Sequence, residues 1–251
     1  NDLSRITPYE SKREKALKNS IFFGDRWDIN SNLTIDFGLR GTVYSYLGPA
    51  TIYNYRPGMP RNEFNIKDTT TYSRNSFVKN YPGLDYRFAA KYSLRPDLSV
   101  KASFNKMHQY LFLLSNNIST SPTDKWKLSD THLKPMDGYQ FSAGVYKNFG
   151  QSIETSLEMY YKDVKNLVEF KDGAEFQSKK PVETNIIQGD LDAYGLEFML
   201  KKKTGELNGW FNYTYSRSLV EAIDRERGEF NNMGNVYPAN YDKPHAFNLT
   251  L

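Results

Sequence analysis

The sequence predicts an all-β protein: an antiparallel transmembrane β-barrel segment of about nine strands, an incomplete part of a larger barrel. Three observations predict it. Apolar and polar residues alternate with period two in nine separate stretches. The connections between those stretches are alternately short and long, four of each. The chain is polar on average, with a mean hydropathy of −0.69, yet its 251 residues include 19 Tyr, 16 Phe and 3 Trp. Disordered chains are poor in aromatics, so this mixture reads as strands with one greasy and one wet face.

The first strand, 19–29, puts Ile21, Phe23 and Trp27 on one face and is interrupted by Asp25, which shares their parity. In 33–47, Leu33, Ile35, Phe37, Leu39, Val43 and Leu47 oppose Thr34, Asp36, Arg40, Thr42, Tyr44 and Tyr46. Strand 84–94 sets Leu84, Tyr86, Phe88, Ala90 and Tyr92 against Asp85, Arg87, Ala89 and Lys91. In 98–105, Leu98, Val100, Ala102 and Phe104 oppose Ser99, Lys101, Ser103 and Asn105. Strands 139–149, 153–161, 194–202 and 207–216 repeat the pattern, and 245–251 is a weaker ninth.

The connections separate a membrane barrel from its main rival. Hairpin-like polar turns fall at 30–32, 95–97, 150–151 and 204–206, and long loop-like segments at about 48–82, 114–136, 170–189 and 220–243. One end of the sheet therefore carries only tight turns and the other only long loops, as outer-membrane barrels do. A soluble β-sandwich also alternates but requires no such asymmetry, and its strands are usually shorter than the 11 to 15 residues read in several strands here.

Other classes fall away. The longest unbroken aliphatic or aromatic run is Tyr110-Leu111-Phe112-Leu113-Leu114, far short of the roughly 20 residues a membrane helix needs. There is no Cys, hence no disulfide framework and no Cys-ligated metal. The balance of 33 basic against 29 acidic residues, net +4, is too even to suggest nucleic acid. His108, His132 and His245 show no metal-ligand spacing, and Ser129-Asp130-Thr131-His132 holds triad residue types whose adjacency in a loop proves nothing about triad geometry. The expectation is no catalytic site, no metal and no cofactor.

An unpaired strand edge in lipid leaves backbone groups unsatisfied, so a barrel must close. Nine strands, with the last stopping in mid-pattern at Leu251, suggest a piece of a larger barrel.

Several stretches carry a family resemblance. LTIDFGLR at 33–40 follows IFFGDRWDI at 21–29, and YPGLDYRFAAKYSLRPDLSVKASFNKMHQYL occupies 81–111. GYQFSAGVYKNF at 138–149 leads into IETSLEMYYKDVKNLVEF at 153–170. Most specific is AYGLEFMLKKKTGELNGWFNYTYSRS at 193–218, followed by YPANYDKPHAFNLTL at 237–251. These resemble the late barrel of TonB-dependent outer-membrane receptors, particularly Bacteroidetes-type ones. The resemblance implies one partial barrel domain over 1–251 of a 22-stranded barrel in the bacterial outer membrane. It also implies a plug domain, a TonB energy-coupling complex reached through an N-terminal region, and possible company from a surface lipoprotein.

On that reading the long loops are external. Tyr53, Tyr55 and Arg56 in the first loop and Trp126 in the second are the candidate ligand contacts, because Tyr and Trp offer a flat face with a polar tip; interfacial anchoring is the plainer role. Asp36, Arg40, Arg87, Lys91, Glu158 and Glu197, with Asp85, Lys101, Glu154 and Lys201, are expected to face the lumen. Their plainer role is solvated filler. A plug-less porin and an outer-membrane hydrolase are the alternative functions.

Overall fold

The computed structural model describes residues 13–115, 124–174 and 181–251. In chain order its strands are β1 (Lys15–Asp28), β2 (Leu33–Leu47), β3 (Ala50–Tyr55), β4 (Ile66–Tyr72), β5 (Phe77–Arg95), β6 (Leu98–Gln109), β7 (Leu111–Leu114) and β8 (Lys125–Leu128). They continue with β9 (Met136–Phe149), β10 (Ile153–Phe170), β11 (Ile186–Lys202), β12 (Gly209–Glu221), β13 (Ile223–Asp224), β14 (Glu229–Phe230), β15 (Tyr237–Pro238) and β16 (His245–Thr250).

The main sheet runs β1-β2-β5-β6-β9-β10-β11-β12, with β15 and β16 both pairing β12. Every pairing is antiparallel and joins long strands that are consecutive along the chain. The expected strands correspond to β1, β2, β5, β6, β9, β10, β11, β12 and β16. Among the described residues β1 pairs only with β2 and β16 only with β12, so the sheet is open.

The tight turns are built from local chemistry. Asn30 Oδ1 accepts the amides of Asn32 and Leu33 at 2.8 and 2.9 Å, an Asx turn that closes the β1–β2 hairpin. Gly150 turns the β9–β10 hairpin at φ +61°, a conformation that costs a side-chain-bearing residue energy.

Register puts Phe37, Phe88, Phe104, Phe141 and Tyr161 side by side across five strands. Among the described residues no second layer covers this face: Phe88 is 49% exposed and Phe141 43%. A sandwich would have buried it. Large apolar side chains laid bare along a whole sheet face match a wall whose solvent is lipid. Asp25 interrupts this face as expected, and its carboxylate accepts the Trp27 indole N–H at 2.6 Å.

The buried residues gather instead at the long-loop end. One cluster holds Tyr44, Tyr46, Ile52 and Tyr110; a second Phe112, Leu114, Leu133 and Ile186; a third Val164, Ile187, Leu191, Val220, Ala222 and Ala239. The long connections differ from the plain loops their composition suggests. Three contain small hairpins: β3–β4, β7–β8 and β13–β14. The sheet strands also run further toward this end than the alternation does. β10 continues past a bulge between Val164 and Leu167, where Asn166 sits at φ +60°. β5 begins at Phe77 and contains Pro82, tolerated because its pairing with β6 stops at Tyr86 and Lys106.

Candidate functional site

The loop end is held by polar links that pass from loop to loop. Tyr44 and Tyr110 stack at 4.7 Å with planes 12° apart, and the Tyr44 hydroxyl donates to Ser129 O at 3.0 Å. Tyr81 donates to Asp130 O at 2.6 Å. These bonds tie the second loop to β2 and β5.

Lys127 is buried among them. Its ammonium donates to Glu14 Oε1 and Asp130 Oδ2, both at 2.5 Å. The other Glu14 oxygen accepts the Leu128 amide at 2.9 Å. Burial alone would lower the Lys127 pKa, but the Asp130 and Glu14 carboxylates outweigh it and push the value up. The free oxygen of Asp130 accepts the amides of His132 and Leu133 at 2.7 and 2.9 Å. Asp130 thus caps the Ser129-Asp130-Thr131-His132 turn with its carboxylate.

Four loops converge next to that turn. Arg61, in the first loop, donates its backbone N–H to Glu229 Oε1 at 3.1 Å and Nη1 to His132 O at 3.3 Å. Lys171 also donates to Glu229, at 2.5 Å. Tyr55 packs edge-on to His132 at 5.4 Å and donates to Glu183 Oε1 at 3.3 Å. Arg227 Nη1 donates to Met59 O at 3.3 Å. Burial lowers the Arg61 pKa, with Arg227 adding to the effect. Burial likewise lowers that of His132, with Glu183 and Asp130 opposing and Arg61 reinforcing. Burial raises the Tyr55 hydroxyl, and Glu183 adds to it.

Among the candidate contacts, Tyr55 is buried and committed to His132 and Glu183. Tyr53 is half-buried, Arg56 is exposed, and Trp126 is 66% exposed on the β7–β8 hairpin, paired with Leu113. Among the described residues no hydrogen bond, ring contact or strand pairing joins Trp126 to Tyr53 or Arg56. Sequence reading missed Arg61, Lys127, Glu183 and Glu229. The Lys127–Asp130 spacing of three was the one local signal, since the other links span 58 to 168 residues.

The polar face carries the second group. Arg87 lies across Gly38 and meets Asp36 at 3.3 Å. Both side chains are well exposed, so the pair is worth under about 1 kcal/mol. Arg40 pairs in register with Asp85, which instead bonds His108 Nδ1 at 2.6 Å. Lys91 lies opposite Lys101, and Glu158 opposite Glu197.

A meander of long antiparallel strands, bare and apolar on one face, polar on the other, tight-turned at one end and loop-capped at the other, is the wall of a transmembrane β-barrel. Residues 1–251 match the family model described as TonB dependent receptor-like, beta-barrel, and the chain belongs to that family. Its fold is similar to that of the ferric-catecholate import receptor Fiu from E. coli K12 in its closed crystal form, with a TM-score of 0.52 and 15% identity. That match covers 93% of this chain and 31% of the other, so the chain spans about a third of the length of the receptor it matches. Comparison with curated proteins yields no match.

Proposed function

We propose that this chain is the barrel portion of a TonB-dependent outer-membrane receptor that takes up a nutrient ligand under energy coupling. The observation that supports it most is the family match over the whole chain. The bare apolar face meets outer-membrane lipid. The polar face, with Asp36, Arg40, Arg87, Lys91, Glu158 and Glu197, lines the interior toward a plug domain. The interlocked loops face outside, where Tyr53, Arg56 and Trp126 are the accessible ligand contacts. The TonB complex supplies the energy, and a surface lipoprotein accompanies the barrel, as in Bacteroidetes-type receptors.

The likeness to Fiu is one of fold and ranks no ligand. Glycan, siderophore, cobalamin-like and peptide ligands are therefore tested together. A strain lacking the gene is grown on a panel with one of each class as the limiting nutrient. The proposal expects a defect on one class, restored by the gene only when energy coupling is intact. Restoration without energy coupling indicates a porin. Hydrolysis of a lipid or peptide by the purified whole protein indicates an enzyme.

A further inference from the structure

The ion pairs at the loop end leave one shielded carboxylate without a counter-charge. Beyond its bulge, β10 carries Glu169, directly opposite Ile187 of β11. Directly opposed residues share a face of the sheet, and Ile187 is buried there in the cluster around Val164 and Val220. Leu167, two residues before Glu169, packs against the same cluster, and so does Tyr237 of β15. Glu169 therefore stands half-buried at the side of an apolar cluster.

Bases on the neighbouring segments are committed to other acids. Lys165 pairs with Asp163 and Asp190, Lys171 with Glu229, Arg217 with Asp242 and Arg227 with Asp224. Glu169 has neither a hydrogen bond nor an ion pair among the described residues. A carboxylate drawn partly out of water with no donor to meet it is unfavourable. Burial alone holds its pKa above the ordinary value.

Two tyrosines of the fourth loop stand in the field of this charge. Burial raises the pKa of the Tyr237 and Tyr241 hydroxyls, the Asn231 hydrogen bond opposes it at Tyr237, and the Glu169 carboxylate adds to it at both. Asn231 fixes the spacing: its Nδ2 donates to Phe170 O at 2.8 Å and to the Tyr237 hydroxyl at 3.5 Å. Tyr237 is thereby tied to the residue next to Glu169. Tyr241 is 52% exposed, so the group opens to solvent on that side. A neutral hydroxyl would bring this carboxylate one hydrogen bond. An ammonium or guanidinium also brings the missing charge, and its hydrogen bond to a carboxylate is roughly twice as strong. Aromatic rings attract the same groups.

We propose that Glu169, Tyr237 and Tyr241 form a cation-accepting subsite, which takes an ammonium or guanidinium group of the nutrient ligand, such as a basic peptide carries. Glu169 supplies the counter-charge and the two tyrosines the aromatic wall. This rests on the reading of these loops as the outer, ligand-facing end of a receptor.

The test uses the whole receptor in detergent. The probe is agmatine, with a guanidinium at one end and an ammonium at the other; pentanediol and glutarate are its neutral and anionic counterparts. Calorimetric titration near neutral pH is expected to show binding of agmatine and of neither counterpart. Glu169→Gln should weaken agmatine by about tenfold or more, and Glu169→Asp, which keeps the charge, by less. Glu226→Gln, which neutralises an exposed carboxylate of the same loop end, should leave the affinity in place. Acidification should weaken binding as the Glu169 carboxylate takes up a proton, and Glu169→Gln should lose that dependence. Equal affinity in the parent and Glu169→Gln overturns the subsite, and so does equal binding of pentanediol. Growth restored only with energy coupling, while agmatine binding ignores Glu169, overturns the subsite and leaves the receptor reading standing. Growth restored without energy coupling, while agmatine binding still needs Glu169, overturns the receptor reading and leaves the cation site standing.

Discussion

Replacing Lys127 by Met removes the cation that lies between the Glu14 and Asp130 carboxylates in the loop cap. The Lys127 side chain is 10% exposed, Asp130 7% and Glu14 24%. Breaking a buried ion pair by removing one partner costs about 3–5 kcal/mol, because a charge stays behind without compensation. Two features reduce that here. Asp130 keeps the His132 and Leu133 amides, and Glu14 keeps the Leu128 amide and some water. A local loss of roughly 2–3 kcal/mol follows, which is about a thirty- to hundred-and-fifty-fold rise in the open population. Hydrogen exchange reads it at the Leu128 and Leu133 amides, which these carboxylates accept, with strand amides of β9 and β11 as an unchanged reference. In the parent protein the same amides should lose protection only in strong alkali. The folded pKa of Lys127 is raised, so its contribution is complete below the ordinary lysine value of about 10.4 and disappears as pH climbs through the higher folded value. Unchanged exchange at Leu128 and Leu133 in Lys127→Met would refute the reasoning.

Further outcomes follow from the same geometry. His132 has a lowered pKa in the folded loops, so its contribution is complete above the free value of about 6.5 and is lost as pH falls through that value toward the folded one. Acidification to about pH 5 should therefore speed proteolysis of the loops, and His132→Gln should remove that dependence on pH. Arg61→Met cuts the side-chain link to His132 O, leaves the backbone bond to Glu229, and should loosen loops one and two together by about 1–2 kcal/mol, read as matched increases in exchange in both. For whichever ligand class the growth panel selects, Trp126→Ala and Arg56→Ala should weaken binding to whole cells by about tenfold or more. Tyr55→Phe should act mainly on loop protection. Equal binding in all three would remove the loop face from ligand capture.

The wall was legible in the sequence because its two solvents differ. Strand β2 alternates Ile35, Phe37 and Leu39 with Asp36 and Arg40, and a period of two needs no long-range information. Where both faces of a strand meet similar surroundings the signal fades. Past Tyr161, β10 carries Lys162, Asp163 and Lys165 and then a bulge, so alternation stops although hydrogen bonding continues to Phe170. The β3–β4 hairpin is hidden for the same reason: Ile52 is buried in the loop cluster, while the partner strand reads Asp68, Thr69, Thr70 and Thr71. The loop cap itself was not legible. Arg61 to His132 spans 71 residues and Tyr55 to Glu183 spans 128, and single-residue types carry no record of such partners. The like-charged pairs on the polar face were half legible: parity assigns each residue to that face, but only the register sets Lys91 against Lys101 and Glu158 against Glu197.

The central claim is that one face of this sheet meets lipid and the other the barrel interior. Single cysteines placed along β2 in the whole receptor, in native outer membrane and with any cysteine outside these 251 residues first replaced by serine, test it most directly; residues 1–251 hold no cysteine of their own. Cysteines at Ile35, Phe37 and Leu39 should react with a lipid-phase reagent and resist a water-soluble one, and those at Asp36 and Arg40 should do the reverse, switching at each step along the strand. Protection of the apolar set from both reagents, as in a sheet covered by a second protein layer, would contradict it.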